Sequence, residues 1–354
     1  MYPMAKAIGY AAKGKHSPLR PHLFDRREPG KGDVVIDVLF CGVCHSDLHQ
    51  VKNDWGNTLY PCIPGHEVVG RVARVGAAVE SFKAGDLVGV GCMVDSCGEC
   101  RACHEGLEQY CEGPKGFVWT CNGPARPDGT NTFGGYSSAI VVREKFVLPI
   151  PEGMDPKLAA PLLCAGVTTF SPMKHWGVGN GQKVAIAGFG GLGHLATQLA
   201  QALGARVTVL TTSRRKLEDA RRLGAEAAVL STDEEAMKEL EGSFDFLLST
   251  IPRSHDVAPF VATLRRDGVM AVCGALEPFA GVSCSSLAFH RQTLAGSLIG
   301  GLAETREVLE FCLQHGIAPQ VQLIPVDDIN DAFTRLDARE VRYRCVIDMS
   351  TLTS

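Results

Sequence analysis

At 354 residues with 45% hydrophobic side chains, the chain is long for one domain and able to bury the cores of two. A formal charge of −4 and a pI near 6.3 give no basic footprint for nucleic acid or an anionic membrane, so the expected partner is a small molecule. No apolar run approaches the roughly 20 residues that span a bilayer, and Met1 to Lys6 lacks the layout of a signal peptide, so a cytoplasmic protein with reduced thiols is expected.

The first 150 residues read as a β-rich, barrel-like domain. Short β-branched runs at Val34–Leu39, Val68–Ala73, Leu87–Val90 and Ala139–Val142 alternate with Gly, Pro and Asp punctuation. Segments 41–67 and 92–135 read as the loops that carry polar clusters. Within the second, Cys97, Cys100, Cys103 and Cys111 form a C-x2-C-x2-C-x7-C array. Four thiolates suit the closed tetrahedral shell of a structural Zn²⁺, and cysteines three apart in one loop pair poorly as disulfides. Fourteen cysteines in a chain without an export signal otherwise read as buried thiols.

A Pro- and Gly-rich boundary at 148–153 precedes a change of texture. Strands are expected at Lys183–Ala187, Arg206–Leu210, Ala227–Leu230, Phe244–Leu248 and Gly268–Val272, with helices at His194–Leu203, Lys216–Leu223 and Leu302–His315. Strands alternating with helices imply a doubly wound parallel sheet covered on both faces. The alternating tail at Arg342–Asp348 is expected to rejoin the first domain.

Gly188-Phe189-Gly190-Gly191-Leu192-Gly193 places G-x-G-x-x-G between a strand and a helix. Such glycines permit a tight turn and close backbone approach to a pyrophosphate at the helix N-terminus. The next strand runs into Thr211-Thr212-Ser213-Arg214-Arg215-Lys216, with no carboxylate before Glu218. Thr211, Thr212, Ser213, Arg214 and Lys216 can bind a 2′-phosphate, which favours NADP(H) over NAD.

Cys41 to His49 and Gly65 to Gly70 combine thiols, imidazoles and carboxylates, as in a zinc site with an open position. Spacing alone does not say which atoms bind. Cys-Gly-Val-Cys-His-Ser-Asp-Leu-His, Gly-His-Glu-Val-Val-Gly, the four-cysteine loop, Leu163 to Thr169 and the glycine turn occur in order. Together they resemble the zinc-dependent medium-chain alcohol dehydrogenases, in the cinnamyl alcohol dehydrogenase branch that includes bacterial NADP-dependent aldehyde reductases.

That resemblance implies an α/β protein with a GroES-like catalytic domain at 1–156 and 297–354 around a Rossmann domain at 157–296. It implies a catalytic Zn²⁺ on Cys44, His66 and Cys164, a second, structural Zn²⁺, Glu67 behind the metal or as a transient ligand, and Asp47 orienting His66. Arg342 matches the position that neutralises these carboxylates. Ser46 and His49 would relay a proton. Thr168, Thr250 and Ile299 would join the glycine turn in holding NADP(H), and Trp119 would line an aromatic pocket or instead cover the zinc loop. A homodimer joined near Leu298 and Ile299 is also implied. The expected reaction is hydride transfer between NADP(H) and a primary alcohol/aldehyde pair, in a cleft between the domains. The competing readings are an NAD-linked polyol dehydrogenase and a noncatalytic, redox-sensing relative using thiols such as Cys41 and Cys62.

Overall fold

The computed structural model describes residues 6–114, 116–122, 131–274, 277–278 and 282–352. The expectation drawn from residues 1–5, and part of that for 112–135, lie outside the described residues. The chain forms two compact units, one of Met1–Cys164, Gly301–Leu313 and Pro319–Ser354, the other of Ala165–Gly300 and Gln314–Ala318.

The first unit is built on the 11-residue strand Asp33–Val43, which is buried over most of its length. One edge pairs antiparallel with Val68–Val75. The other is shared, its first half with Ala139–Arg143 and its last residues with Arg344–Asp348. The tail therefore does rejoin this unit, and Val321–Pro325 adds a parallel edge strand beside it. Leu87–Val90 and Leu148–Pro149 extend the opposite side. The loops assigned to 41–67 and 92–135 contain regular structure, including the helices His45–Lys52 and Arg101–His104 and the strand pair Met93–Asp95 with Val118–Trp119. The helix His45–Lys52 begins with a capping box built from Cys44 and Asp47, in which the Asp47 carboxylate accepts from Cys44 N–H at 3.1 Å.

In the second unit, six parallel strands run in the spatial order Ala227–Leu230, Arg206–Thr211, Lys183–Ala187, Phe244–Ser249, Leu264–Val272, Thr293–Gly296. Numbered along the chain this order is 3-2-1-4-5-6, the Rossmann arrangement. The direction of winding reverses between Lys183–Ala187 and Phe244–Ser249, so a crevice lies beyond the carboxyl ends of those strands, where Gly188 and Thr250 follow. Near-continuous apolar runs suit a sheet buried on both faces. Ala185, Leu247 and Met270 face Phe244, Phe260 and Leu264 in its core.

Candidate functional site

Strand pairing assembles the first cluster. Cys41 lies opposite Val68, and Gly42 N–H donates to Glu67 O at 2.9 Å, so the residue after one strand, Cys44, meets the residues before the other, His66 and Glu67. Gly42 is required there, because a Cβ would fall 1.8 Å from Glu67 Oε2. Cys164 arrives on a π-helical turn, Leu162–Gly166, of the kind frequent at functional sites. Gly89 and Gly91 admit it: a Cβ on either would come within 3.0 Å of Leu163.

One donor atom each from Cys44, His66, Glu67 and Cys164 lies within 4.8 Å of the others, and all four residues are buried. Asp47 Oδ1 holds His66 Nδ1 at 2.8 Å and accepts Gly65 N–H at 2.8 Å. With Nδ1 held by this carboxylate, Nε2 is the nitrogen that points to Cys164 Sγ, at 3.3 Å. The Cys44 thiol is held well below its usual range by its hydrogen bond with Cys164 and by His66, while Cys164, facing Cys44 and Cys92, is pushed up. Burial raises Glu67 to about 7 even though a guanidinium opposes the shift, and its Oε2 has no partner among the described residues. Two thiols, one imidazole nitrogen and an orphaned carboxylate oxygen match a zinc site that keeps a position open.

The guanidinium is that of Arg344, not Arg342. Arg344 is buried and donates to Glu67 Oε1, whereas Arg342 lies on the exposed surface before the strand begins. The tail strand begins at Arg344 and pairs with the central strand from Cys345, opposite Val43, which sets the side chain of Arg344 beside Glu67.

Ser46 Oγ lies 3.8 Å from Cys44 Sγ. His49, one turn on, is half-exposed and its Nδ1 meets Asp54 Oδ2 at 2.7 Å, a partner the sequence reading missed. The His49 ring is 6.0 Å from Trp55, Trp55 stacks on Trp119 at 6.1 Å, and Phe117 meets Trp119 edge-on at 4.5 Å. Trp119 therefore belongs to an aromatic row that starts beside His49 and includes Trp55, also missed. Buried Tyr136 donates to Asp47 Oδ2 at 3.2 Å.

The second cluster is local. One Sγ from each of Cys97, Cys100, Cys103 and Cys111 lies within 4.8 Å of the rest, with Cys97–Cys103 and Cys100–Cys111 separations of 3.9 and 4.0 Å. Four sulfurs about 2.3 Å from a tetrahedral ion would stand about 3.8 Å apart. All fourteen cysteines are free. The N–H groups of Cys97, Cys100 and Glu112 donate to Cys111, Cys97 and Cys100 sulfurs at 3.3–3.4 Å, and Cys100 is drawn down to about 6 by backbone N–H donors. Thiolates stabilised this way fit a metal with no open position.

In the second unit Gly188 has φ of 90°, and a Cβ on Gly193 would sit 2.1 Å from Gly188 O; Gly190 faces open space. The turn is locked by Thr250 Oγ1, which donates to Ala187 O and Gly188 O at 3.0 and 3.1 Å. Gly191 and Leu192 complete it, and the helix Gly193–Ala202 starts without a side-chain cap among the described residues, its first N–H groups donating to backbone, His194 to Gly190 O at 3.1 Å and Leu195 and Ala196 to Leu192 O at 3.0 and 2.9 Å. Thr211 Oγ1 accepts Ser213 N–H at 3.3 Å; Thr212 and Arg214 are exposed, and Ser213 and Lys216 half-buried, in a first turn without acid. The buried hydroxyl of Thr168 has no partner among the described residues, and Ile299 has φ of 38°.

Residues 30–152 match the family described as alcohol dehydrogenase GroES-like domain, and residues 191–314 that described as zinc-binding dehydrogenase. Aldehyde reductase YahK of Escherichia coli is 48% identical over 98% of this chain and 99% of its own. NADP-dependent alcohol dehydrogenase C 1 of Mycolicibacterium smegmatis is also 48% identical, over 99% and 100%. The structure of a cinnamyl alcohol dehydrogenase from Sorghum bicolor is 41% identical with a TM-score of 0.95, covering 99% of both chains. With matches that span nearly its full length, the chain belongs to the zinc-dependent medium-chain alcohol dehydrogenases, in their cinnamyl alcohol dehydrogenase branch.

Proposed function

We propose that this chain interconverts primary alcohols and aldehydes with NADP(H), acting on aromatic or a broad range of aldehydes. The observation that carries the reading is the convergence of the Cys44, His66 and Cys164 donors, with the Ser46 hydroxyl 3.8 Å from Cys44 Sγ. A zinc held by these three residues would polarise a carbonyl and lower the pKa of an alcohol. Cys97, Cys100, Cys103 and Cys111 would hold a second zinc that takes no part in the chemistry.

In the oxidation direction, Ser46 Oγ accepts the alcohol proton. Half-exposed His49 passes a proton to solvent, with Asp54 Oδ2 2.7 Å from its Nδ1 to stabilise the imidazolium. NADP(H), held at the glycine turn, would supply the hydride acceptor in oxidation and the hydride donor in reduction. Reduction reverses each transfer. Asp47 fixes the tautomer of His66 that leaves Nε2 free. Gly188, Gly190, Gly191, Leu192 and Gly193 cradle the pyrophosphate, with Thr168, Thr250 and Ile299 flanking the dinucleotide. Thr211, Thr212, Ser213, Arg214 and Lys216 take the 2′-phosphate.

Trp119 and Trp55 present ring faces that favour benzyl and cinnamyl groups by offset stacking. The edge strand Thr293–Gly296 has one side unpaired among the described residues, with Phe289 84% exposed nearby in sequence, which supports a homodimer formed by edge-to-edge pairing. No described helix is long and apolar enough to cross a membrane, and we place the enzyme in the cytoplasm.

The test is steady-state kinetics with benzaldehyde, cinnamaldehyde and aliphatic aldehydes, using NADPH and NADH, beside a chelator-treated control. NADPH-dependent turnover that the chelator removes is expected. No turnover of any aldehyde by zinc-loaded protein would overturn the proposal.

A further inference from the structure

Tyr136 belongs to no part of the chemistry above, yet it is buried completely beside it. Its backbone N–H donates to Pro64 O at 3.0 Å, and its ring lies against Gly65, where a Cβ would come within 2.6 Å of Cδ1. Its hydroxyl reaches Asp47 Oδ2 at 3.2 Å, with Gly42 O a more distant acceptor at 3.4 Å.

The Asp47 carboxylate divides its work between its oxygens. Oδ1 takes His66 Nδ1 and Gly65 N–H, with the Cys121 thiol 3.7 Å away; Oδ2 takes Cys44 N–H at 3.1 Å. Among the described residues, Tyr136 is the one side chain that donates to Oδ2. We propose that Tyr136 is a positioning residue for His66, its hydroxyl locking the rotation of the Asp47 carboxylate so that Oδ1 holds the imidazole in line with Cys44 and Cys164. The inference rests on the reading of those three residues as metal donors. Burial, then the nearby Asp47 charge, keep the phenol protonated and therefore a donor. The ring and the hydroxyl have separable roles, since the ring packs on the 64–65 turn and only the hydroxyl touches Asp47.

Tyr136→Phe keeps the ring and removes the hydroxyl. In the holoenzyme, chelator-driven metal loss is followed at each site, with cobalt replacing zinc so that the visible spectrum reports the geometry at His66. Loss from the Cys44/His66/Cys164 site about tenfold faster is expected, the lower end of the range for removing a partner of a ligating histidine's carboxylate. The four-cysteine site should release metal at the parent rate, and the cobalt bands should shift. In an Asp47→Asn background the same change should have no further effect. Parent-like retention and spectrum, equal acceleration at both sites, a failure of the Phe variant to fold, or an additive effect with Asp47→Asn would each overturn the proposal. Cys164→Ser serves as the separate check on the metal reading: it should lose one metal outright, and if it keeps both, that reading falls whatever Tyr136 does.

Discussion

Arg344 and Glu67 face each other with side chains 4% and 0% exposed, joined by a hydrogen bond across 277 positions of sequence. The pair sits behind Cys44, His66 and Cys164, and Gly42 leaves the space that the carboxylate occupies. Removing one member of a buried ion pair leaves the other uncompensated, at a cost of about 3–5 kcal/mol. Arg344→Met should therefore lower the thermal midpoint sharply, while Arg342→Met, at the exposed neighbouring position, should leave it near the parent value. Calorimetry of both variants checks this.

Ser46→Ala should lower turnover by roughly 10²–10⁴, the range of a lost proton-transfer group, with NADPH binding unchanged. Asp54→Asn should fall between this variant and the parent, because it weakens only the imidazolium of His49. Stopped-flow turnover and fluorescence titration of NADPH separate the two quantities. Unchanged turnover in Ser46→Ala would remove that hydroxyl from the proton path.

Cys44→Ser should remove one zinc per chain, with loss of activity in a protein that stays folded. Cys100→Ser should also remove one zinc, but with stability falling first and activity only as a consequence. Metal analysis beside thermal unfolding distinguishes them. A Cys100→Ser protein that kept both zincs and the parent midpoint would exclude a structural metal.

Arg214→Ala should raise the KM for NADPH about 10- to 100-fold, as expected for one lost charge-assisted hydrogen bond of roughly 1.5–3 kcal/mol, with the KM for NADH little changed. A matched rise for both cofactors would argue against a 2′-phosphate contact.

Phe289→Glu changes a side chain that is 84% exposed in the single chain, so it should not disturb the monomer fold. A shift from dimer to monomer in sedimentation is the expected result, and an unchanged sedimentation coefficient would place the interface elsewhere.

The features legible in the sequence are those whose partners are close along it. The glycine turn and the four-cysteine loop each bring their atoms together within about 15 residues, so spacing carries the geometry. Cys164 sits in an apolar run, Pro161-Leu162-Leu163, and only family resemblance singles it out, because its neighbours Cys44 and His66 are about 100 residues away. Asp54 and Trp55 lie in the turn that follows the helix His45–Lys52, within a stretch read as loop, and the capping box of Cys44 and Asp47 was the local signal for that helix. Arg342 and Arg344 share the same phase of an alternating strand, so pattern alone cannot choose between them. The point at which the tail joins Asp33–Val43 makes the choice.

Glu108, in the short 3-10 turn Glu108–Tyr110 of the four-cysteine lobe, accepts Leu302 N–H through Oε2 at 3.2 Å, a contact 194 residues apart in sequence. Lys145 Nζ holds the other oxygen at 3.4 Å, and Gly301 packs so close to Gly106 that a Cβ would fall 1.7 Å from its carbonyl oxygen. The lobe thus acts as a clasp on the start of the helix Leu302–His315, tying the four-cysteine loop to the return of the chain. Stripping the four-cysteine metal should then be recorded by limited proteolysis as new cleavage near residue 301 as well as within 97–111, with the two cuts appearing at the same rate.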